Sequence, residues 1–266
     1  MVDLAQYAGF PLDFSPSTLQ VTTEDDLVFK RSIRYGHDLK DVVCFPDQLK
    51  LDEPAYSMDI LQSAPPSIQA ALDRYALLYS TVLLPPGKIG REFIKTTGHY
   101  HPPIAGTTLG FPEVYTQLYG KLLLVLQHRA GNDREQIMNY VIVEMVPGFV
   151  ITIPPNYAHC LINPTSEPAL MAGLYGKGFK PDYEMTKKRR GLAYYVLSDD
   201  DGGLEFYPNP NYPLRPEINR VNNLEGTCFA PDFPDQPVWA SFLNDPTAFA
   251  FLTEAQAALD KFPNWK

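Results

Sequence analysis

Short apolar runs broken by Gly, Pro and Asn turns fill the middle of the chain. From about Tyr79 they are Ser80–Leu84, Glu92–Thr96, Val114–Leu118, Leu122–Gln127, Tyr140–Met145, Phe149–Ile153, His159–Asn163, Ala169–Tyr175 and Ala193–Leu197. Turn signals stand between them: Pro85-Pro86-Gly87, Tyr119-Gly120-Lys121, Ala130-Gly131-Asn132-Asp133, Pro147-Gly148, Pro154-Pro155-Asn156 and Pro164-Thr165-Ser166. Runs this short, at this spacing, predict strands of a closed antiparallel sandwich or barrel. No helical periodicity falls between them, which excludes a parallel α/β sheet.

The flanks read differently. Ser67–Leu78 carries apolar residues at Ile68, Leu72, Tyr75 and Leu78, with Pro66 just ahead, and predicts a short helix leading into the sheet. Val42–Leu51 is interrupted by Pro46. After Tyr207 the sequence PNPNYPLRPEINRVNN reads as a loop or arm, and Thr253–Leu259 as a short amphipathic helix. The expected division is an extension over 1–78 that packs on the barrel, the barrel itself over 79–212, and an arm with a helix over 213–266.

Composition narrows the partners. The chain has 266 residues, 26 of them Pro and 17 Gly, which suits turns and short strands. With 22 basic residues against 31 acidic, the net charge is -9. That argues against nucleic acid or an anionic membrane as partner, and an anionic substrate would need local donors to overcome the global field. Cys44, Cys160 and Cys228 are scattered and odd in number, as expected of free thiols in a reducing compartment. No apolar run approaches the ~20 residues of a membrane span, and the first residues show no secretory pattern, so the expected location is cytoplasmic.

The chemistry concentrates in two segments. Gly98-His99-Tyr100-His101 is followed by Glu113, and Pro154-Pro155-Asn156-Tyr157-Ala158-His159 by Asn163. On a strand, His99 and His101 at i, i+2 point to one face, which in a barrel can be the interior. Two neutral imidazoles, a carboxylate from the next strand and a third His from an opposing one make a site for Fe, Mn, Ni, Co or Zn with a position left open for substrate oxygens. A single interior His is usually only hydrogen-bonded core; the joint pattern carries the metal reading. Glu113 precedes Gly120 by a fixed interval, and Gly148 leads through Pro154 to His159 and Asn163, as in the two strand–turn–strand motifs of the cupins. His37 and His128 lack such company and are expected at the surface or in packing. Cys160, next to His159, should face away.

At these residues the chain resembles the cupin-type phosphoglucose isomerases of archaea and some bacteria. The resemblance runs from about Thr81 to Tyr212 and rests on Pro86-Gly87-Lys88-Ile89-Gly90-Arg91-Glu92-Phe93, Thr96-x-Gly98-His99-Tyr100-His101, Glu113-Val114-Tyr115, Pro154-Pro155-x-Tyr157-Ala158-His159-x-x-x-Asn163, Tyr175 and Asp182-Tyr183. It implies an all-β cupin, a double-stranded β-helix or jelly-roll barrel, with N- and C-terminal extensions containing short helices. It also implies a homodimeric glucose-6-phosphate isomerase of glycolysis and gluconeogenesis, with one divalent transition metal per chain, Fe(II) foremost and Mn, Ni, Co or Zn as alternatives. His99, His101, Glu113 and His159 look like the metal ligands, and Thr81, Thr96, Gly98, Tyr175 and Tyr183 like the contacts to the sugar phosphate. Glu113 is also the expected base, with a metal-assisted hydride shift as the competing route. Three departures stand out: a longer segment from Pro102 to Pro112, Pro181 where the family often has His (with Lys180 beside it as a substitute phosphate contact), and the two extensions. The competing functions are a non-catalytic sugar or metal sensor, an isomerase or epimerase of another sugar phosphate, and a cupin dioxygenase, which has no use for phosphate contacts.

Overall fold

The computed structural model describes residues 1–23, 26–129, 136–231 and 236–263. Two sheets face one another. One has six strands, in the order Val150–Ile153, Glu113–Tyr119, Ala169–Gly176, Leu77–Leu84, Pro54–Ser63 and Val28–Tyr35. The other has four, in the order Tyr157–Ile162, Leu122–Arg129, Ile137–Met145 and Ile218–Val221. Between them lies a core to which alternate residues of both sheets contribute, among them Val82, Tyr115, Met171, Leu122, Leu124, Leu126, Val141 and Leu161. This is the barrel architecture of the cupins.

The outer faces are covered as well. Leu4, Phe10, Phe14, Trp239, Phe242 and Phe249 pack against Leu77, Tyr79, Leu83, Val114 and Leu170 on the back of the six-stranded sheet. Leu192, Ala193, Val196 and Tyr212 cover Leu123, Val125, Ile142 and Cys160 on the back of the other. Burial on both sides explains why Leu122–Leu126 reads LLLVL instead of alternating apolar with polar.

All nine predicted runs coincide with strands, with ends shifted by a few residues; of Glu92–Thr96 only Glu92–Phe93 is strand. Gly120 (φ +66°) makes the turn between two of them, where a Cβ would stand 2.4 Å from the Pro168 carbonyl oxygen. The turn expected at Ala130-Gly131-Asn132-Asp133 lies outside the described residues. The helix expected over 67–78 is Pro66–Arg74, and Leu77 already pairs with Gly176 as strand. The C-terminal helix is Ala255–Lys261.

Two expectations need correction. Ile218–Val221 belongs to no loose arm: it pairs in parallel with Tyr140–Val143 and covers the edge of the four-stranded sheet. That pairing also makes the barrel other than purely antiparallel. The segment 1–78 does two things at once. Leu4 to Phe14 packs on the outer face, while Val28–Tyr35 and Pro54–Ser63 continue the six-stranded sheet through Pro54–Ser63 pairing with Leu77–Leu84. Among the described residues no helix is long and apolar enough to cross a membrane.

Candidate metal centre and its cavity

His159 sits in the middle of Tyr157–Ile162, where alternation sends it inward with Leu161 and turns Cys160 outward. His99 lies directly across from it, the two backbones exchanging hydrogen bonds of 3.3 and 3.1 Å. Residues 99–101 form isolated bridges, His99 to His159 and Tyr100 to Asp182, and no continuous strand. The same-face geometry survives: His99 Nε2 and His101 Nε2 are 3.1 Å apart. One ring nitrogen from each of His99, His101 and His159 falls within 4.8 Å of the others. Glu113, the first residue of its strand, brings Oε2 to 3.4 Å from His159 Nε2 and 3.6 Å from His101 Nε2.

Several features fit this cluster to a divalent cation. His159 Nε2 is buried without a hydrogen-bond partner. His101 Nδ1 lies 2.8 Å from the Phe111 carbonyl oxygen, which can only accept; the proton is therefore on Nδ1, and Nε2 keeps its lone pair for a metal. Burial holds all three imidazoles toward the neutral form that a ligand must have: His99 and His159 lie well below their ordinary value, and His101 is lowered to about 4, against the opposing pull of the Phe111 carbonyl. Burial likewise pushes the Glu113 carboxyl up to about 8, while a hydrogen bond from the Tyr115 hydroxyl pulls it back.

The cluster opens into a cavity of about 250 Å³, whose wall includes Thr96, Tyr175 and Tyr183 among the expected substrate contacts. Burial raises the phenols of Tyr175 and Tyr183 to about 12, so both remain neutral donors. Tyr175 stands opposite Glu113 in the strand register.

Two expected contacts are absent from this wall. Thr81 faces the other side of its strand, toward a separate cavity with Asp59 and Arg31; period-two alternation puts Ser80 in the metal cavity instead, with Leu78 and Val82. Gly98 (φ +74°) shapes the turn before His99, and its carbonyl accepts from Thr186 Oγ1 at 3.0 Å. A Cβ on it would press on Cys160 at 3.3 Å, so the glycine sets backbone geometry. Lys180 is not on the wall either, whereas Pro181 is. Asn163 is structural: its Nδ2 donates to the carbonyls of Leu84, Pro85 and Glu167 at 3.1, 3.1 and 2.8 Å and fixes the turn at 164–166.

The wall also holds residues the sequence reading missed: Arg34, Tyr56, Ser80 and Tyr115. Tyr115 was within reach, since it lies two residues from Glu113 on the same face. Arg34 and Tyr56 come from strands 28–35 and 54–63, where nothing local marks them. The long segment 102–112 lies over this region. Phe111 stacks on Phe179 (4.7 Å between centroids), and Phe179 meets His101 at a tilt (4.5 Å, 55° between planes). Ile104 and Leu109 pack on Ala258 of the C-terminal helix.

A cupin barrel with three inward imidazoles and a buried carboxylate beside them defines the class: a cupin built to hold a divalent metal. The chain belongs to the glucose-6-phosphate isomerase family, whose model matches residues 33–212. A glucose-6-phosphate isomerase of Thermococcus litoralis is 29% identical over 211 residues, 77% of this chain and 96% of that protein. One from Pyrococcus abyssi is 33% identical over 136 residues, 51% of this chain and 65% of that one. Among solved structures, an oxalate decarboxylase of Lactobacillus farciminis overlaps part of each chain, 48% of this one and 30% of that one, at a TM-score of 0.33 and 16% identity.

Proposed function

We propose that the chain is a metal-dependent aldose–ketose isomerase that interconverts glucose 6-phosphate and fructose 6-phosphate. The observation that carries this reading is one cavity whose wall joins the His99, His101, His159 and Glu113 cluster to the neutral hydroxyls of Ser80, Thr96, Tyr175 and Tyr183. Family membership over 33–212 supports the same assignment. His99, His101, Glu113 and His159 would hold one divalent ion, Fe(II) foremost. When bound, the ion supplies Lewis-acid polarisation of the substrate carbonyl and its neighbouring hydroxyl. Glu113, with Oε2 at 3.4 Å from His159 Nε2 and 3.6 Å from His101 Nε2, would carry the proton between the two adjacent carbons. Thr96, Ser80, Tyr175 and Tyr183 would meet the phosphate and far hydroxyls, while Gly98 holds the backbone approach between Thr97 and His99.

The test starts from metal-free protein and adds Fe(II), Mn(II), Ni(II), Co(II) or Zn(II) in turn. Isomerisation of fructose 6-phosphate should appear with at least one metal and vanish with chelator; fully loaded protein that binds the sugar phosphate without turnover is a sensor instead. Turnover in deuterated water separates the two routes. Solvent deuterium at C2 of the product supports proton transfer through Glu113, and its absence a hydride shift. We further place the enzyme in the cytoplasm, in the step shared by glycolysis and gluconeogenesis, as a homodimer. The open edge of Val28–Tyr35, with Val28 and Ile33 exposed, offers the pairing surface. Light scattering at micromolar concentration decides the dimer, and a monomer there ends that part.

A further inference from the structure

Arg31 and Arg34 lie on the same strand and meet different fates. Arg31 is spent on Asp59, its Nε and Nη2 each 2.8 Å from a carboxylate oxygen. Arg34 pairs in register with Tyr56 and is half-buried. Among the described residues it is the sole Lys or Arg on the wall of the metal cavity, and no ion pair engages it there. A half-buried guanidinium left without a carboxylate, on the wall of a cavity in a protein of net charge -9, can take an anionic ligand.

We propose that Arg34 is the residue that selects phosphorylated over neutral sugars, its guanidinium pairing with the phosphate of the substrate in the cavity it shares with the metal cluster. The inference rests on the isomerase reading above and adds to it the one cationic contact that reading lacks. Three observations support it. Arg34 and Tyr56 are register partners on neighbouring strands and line the cavity together with Tyr183, so the guanidinium shares its wall with two phenols. The Tyr56 hydroxyl is in turn 3.3 Å from Thr97 Oγ1, another residue of the same wall. Asp38 lies four residues on, yet its Oδ2 accepts from the Tyr35 backbone N–H at 2.9 Å and no ion pair among the described residues joins it to Arg34. A metal at the His cluster would direct its charge to the carbonyl, while the phosphate dianion requires a separate partner. A planar guanidinium meets phosphate oxygens with two parallel hydrogen bonds.

The test uses the metal-loaded protein and two probes that cannot isomerise, sorbitol 6-phosphate and sorbitol, with calorimetry as the readout. R34Q should bind sorbitol 6-phosphate roughly 10- to 100-fold more weakly than wild type, with sorbitol affinity unchanged. R34K, which keeps charge and loses the fork, should fall between. In turnover, R34Q should raise KM for fructose 6-phosphate by a similar factor and leave kcat within about threefold. Affinity of the wild type for sorbitol 6-phosphate should also fall with added salt, a measurement that needs no variant. Equal binding of sorbitol 6-phosphate by R34Q and wild type, or a salt-independent wild-type affinity, overturns the proposal. A wild type that binds sorbitol 6-phosphate through Arg34 yet turns nothing over sinks the isomerase reading and leaves this one standing.

Discussion

Glu113 occupies space that a glycine leaves open. A Cβ on Gly173 would stand 2.9 Å from Glu113 Oε1 and 3.2 Å from the Tyr115 ring. Gly173→Ala should therefore push the carboxyl off its place between His101 and His159. Overpacking costs about 1–3 kcal/mol of stability, and a misplacement near 1 Å can cost roughly 10²-fold in rate. The expected result is a folded protein with kcat lowered at least tenfold, read by steady-state kinetics beside a thermal melt; unchanged kcat would show that Glu113 does not act from that position. Glu113→Gln is the direct comparison, with the ~10²–10⁴-fold loss of a missing general base and part of the metal affinity retained. The two motifs that announced this centre were readable because each is local: one carries His99, His101 and Glu113 within fifteen residues, the other His159 beside the turn that Asn163 fixes. Thr81 failed for a different reason. In LLYSTVLL both faces are buried, so neither polarity nor periodicity says which residue points inward. The phase is set by pairing with Ala169–Gly176, which the sequence does not display.

At the scale of elements, the C-terminal helix reaches the metal centre through the mouth segment. Ala258 packs on Ile104 and Leu109, the turn they form is closed by the Ile104 N–H donating to the Leu109 carbonyl at 2.8 Å, and Phe111 then presents its carbonyl to His101. Leu109 is fully buried, and truncating such a side chain costs about 2–5 kcal/mol. Leu109→Ala should thus lower the urea midpoint and, by loosening the Phe111 carbonyl, weaken metal binding about tenfold or more. Loss of stability with unaltered metal affinity would show that the segment and the ligand are uncoupled. None of this was legible beforehand. The segment had only its length to mark it, and the helix only its amphipathic pattern. Helix 66–74 shows the limit of propensity from the other side. Tyr75 and Leu78 keep the helical spacing, yet the chain leaves the helix at Ala76 (φ +47°) because Leu77 has a strand partner waiting.

For the whole molecule, the metal should be a stabiliser. A ligand at 100 times its Kd adds about 2.7 kcal/mol, which for a 266-residue chain means about 5–10 °C in Tm. Chelation should remove that increment and re-addition restore it; a Tm indifferent to chelator would exclude a bound ion at the cluster. The metal-free protein should have a stability maximum near pH 6.5. Below it, the unfolded chain takes up protons on His99, His101 and His159 at their ordinary 6.5, while folded His101 waits until about 4, so stability falls as the pH falls. Above it, folded Glu113 keeps its proton up to about 8 and the unfolded chain has already lost it at 4.5, so stability falls as the pH rises. Between 4.5 and 6.5 three imidazoles outweigh one carboxyl. Urea midpoints measured from pH 4.5 to about 8 check the sign on each side.

The parallel pairing of Ile218–Val221 with Tyr140–Val143 also fixes an order of events during synthesis. The strand Ile137–Met145 leaves the ribosome with one side unpartnered and stays so until residue 221 has been made. At about 5–20 residues per second, that interval lasts roughly 4–15 s. Trp239, Phe242 and Phe249, which shield the back of the other sheet, arrive later still. The nascent barrel therefore spends seconds with a naked strand on one sheet and a bare apolar face on the other. Its yield in a cell should depend on whatever covers those surfaces in the meantime.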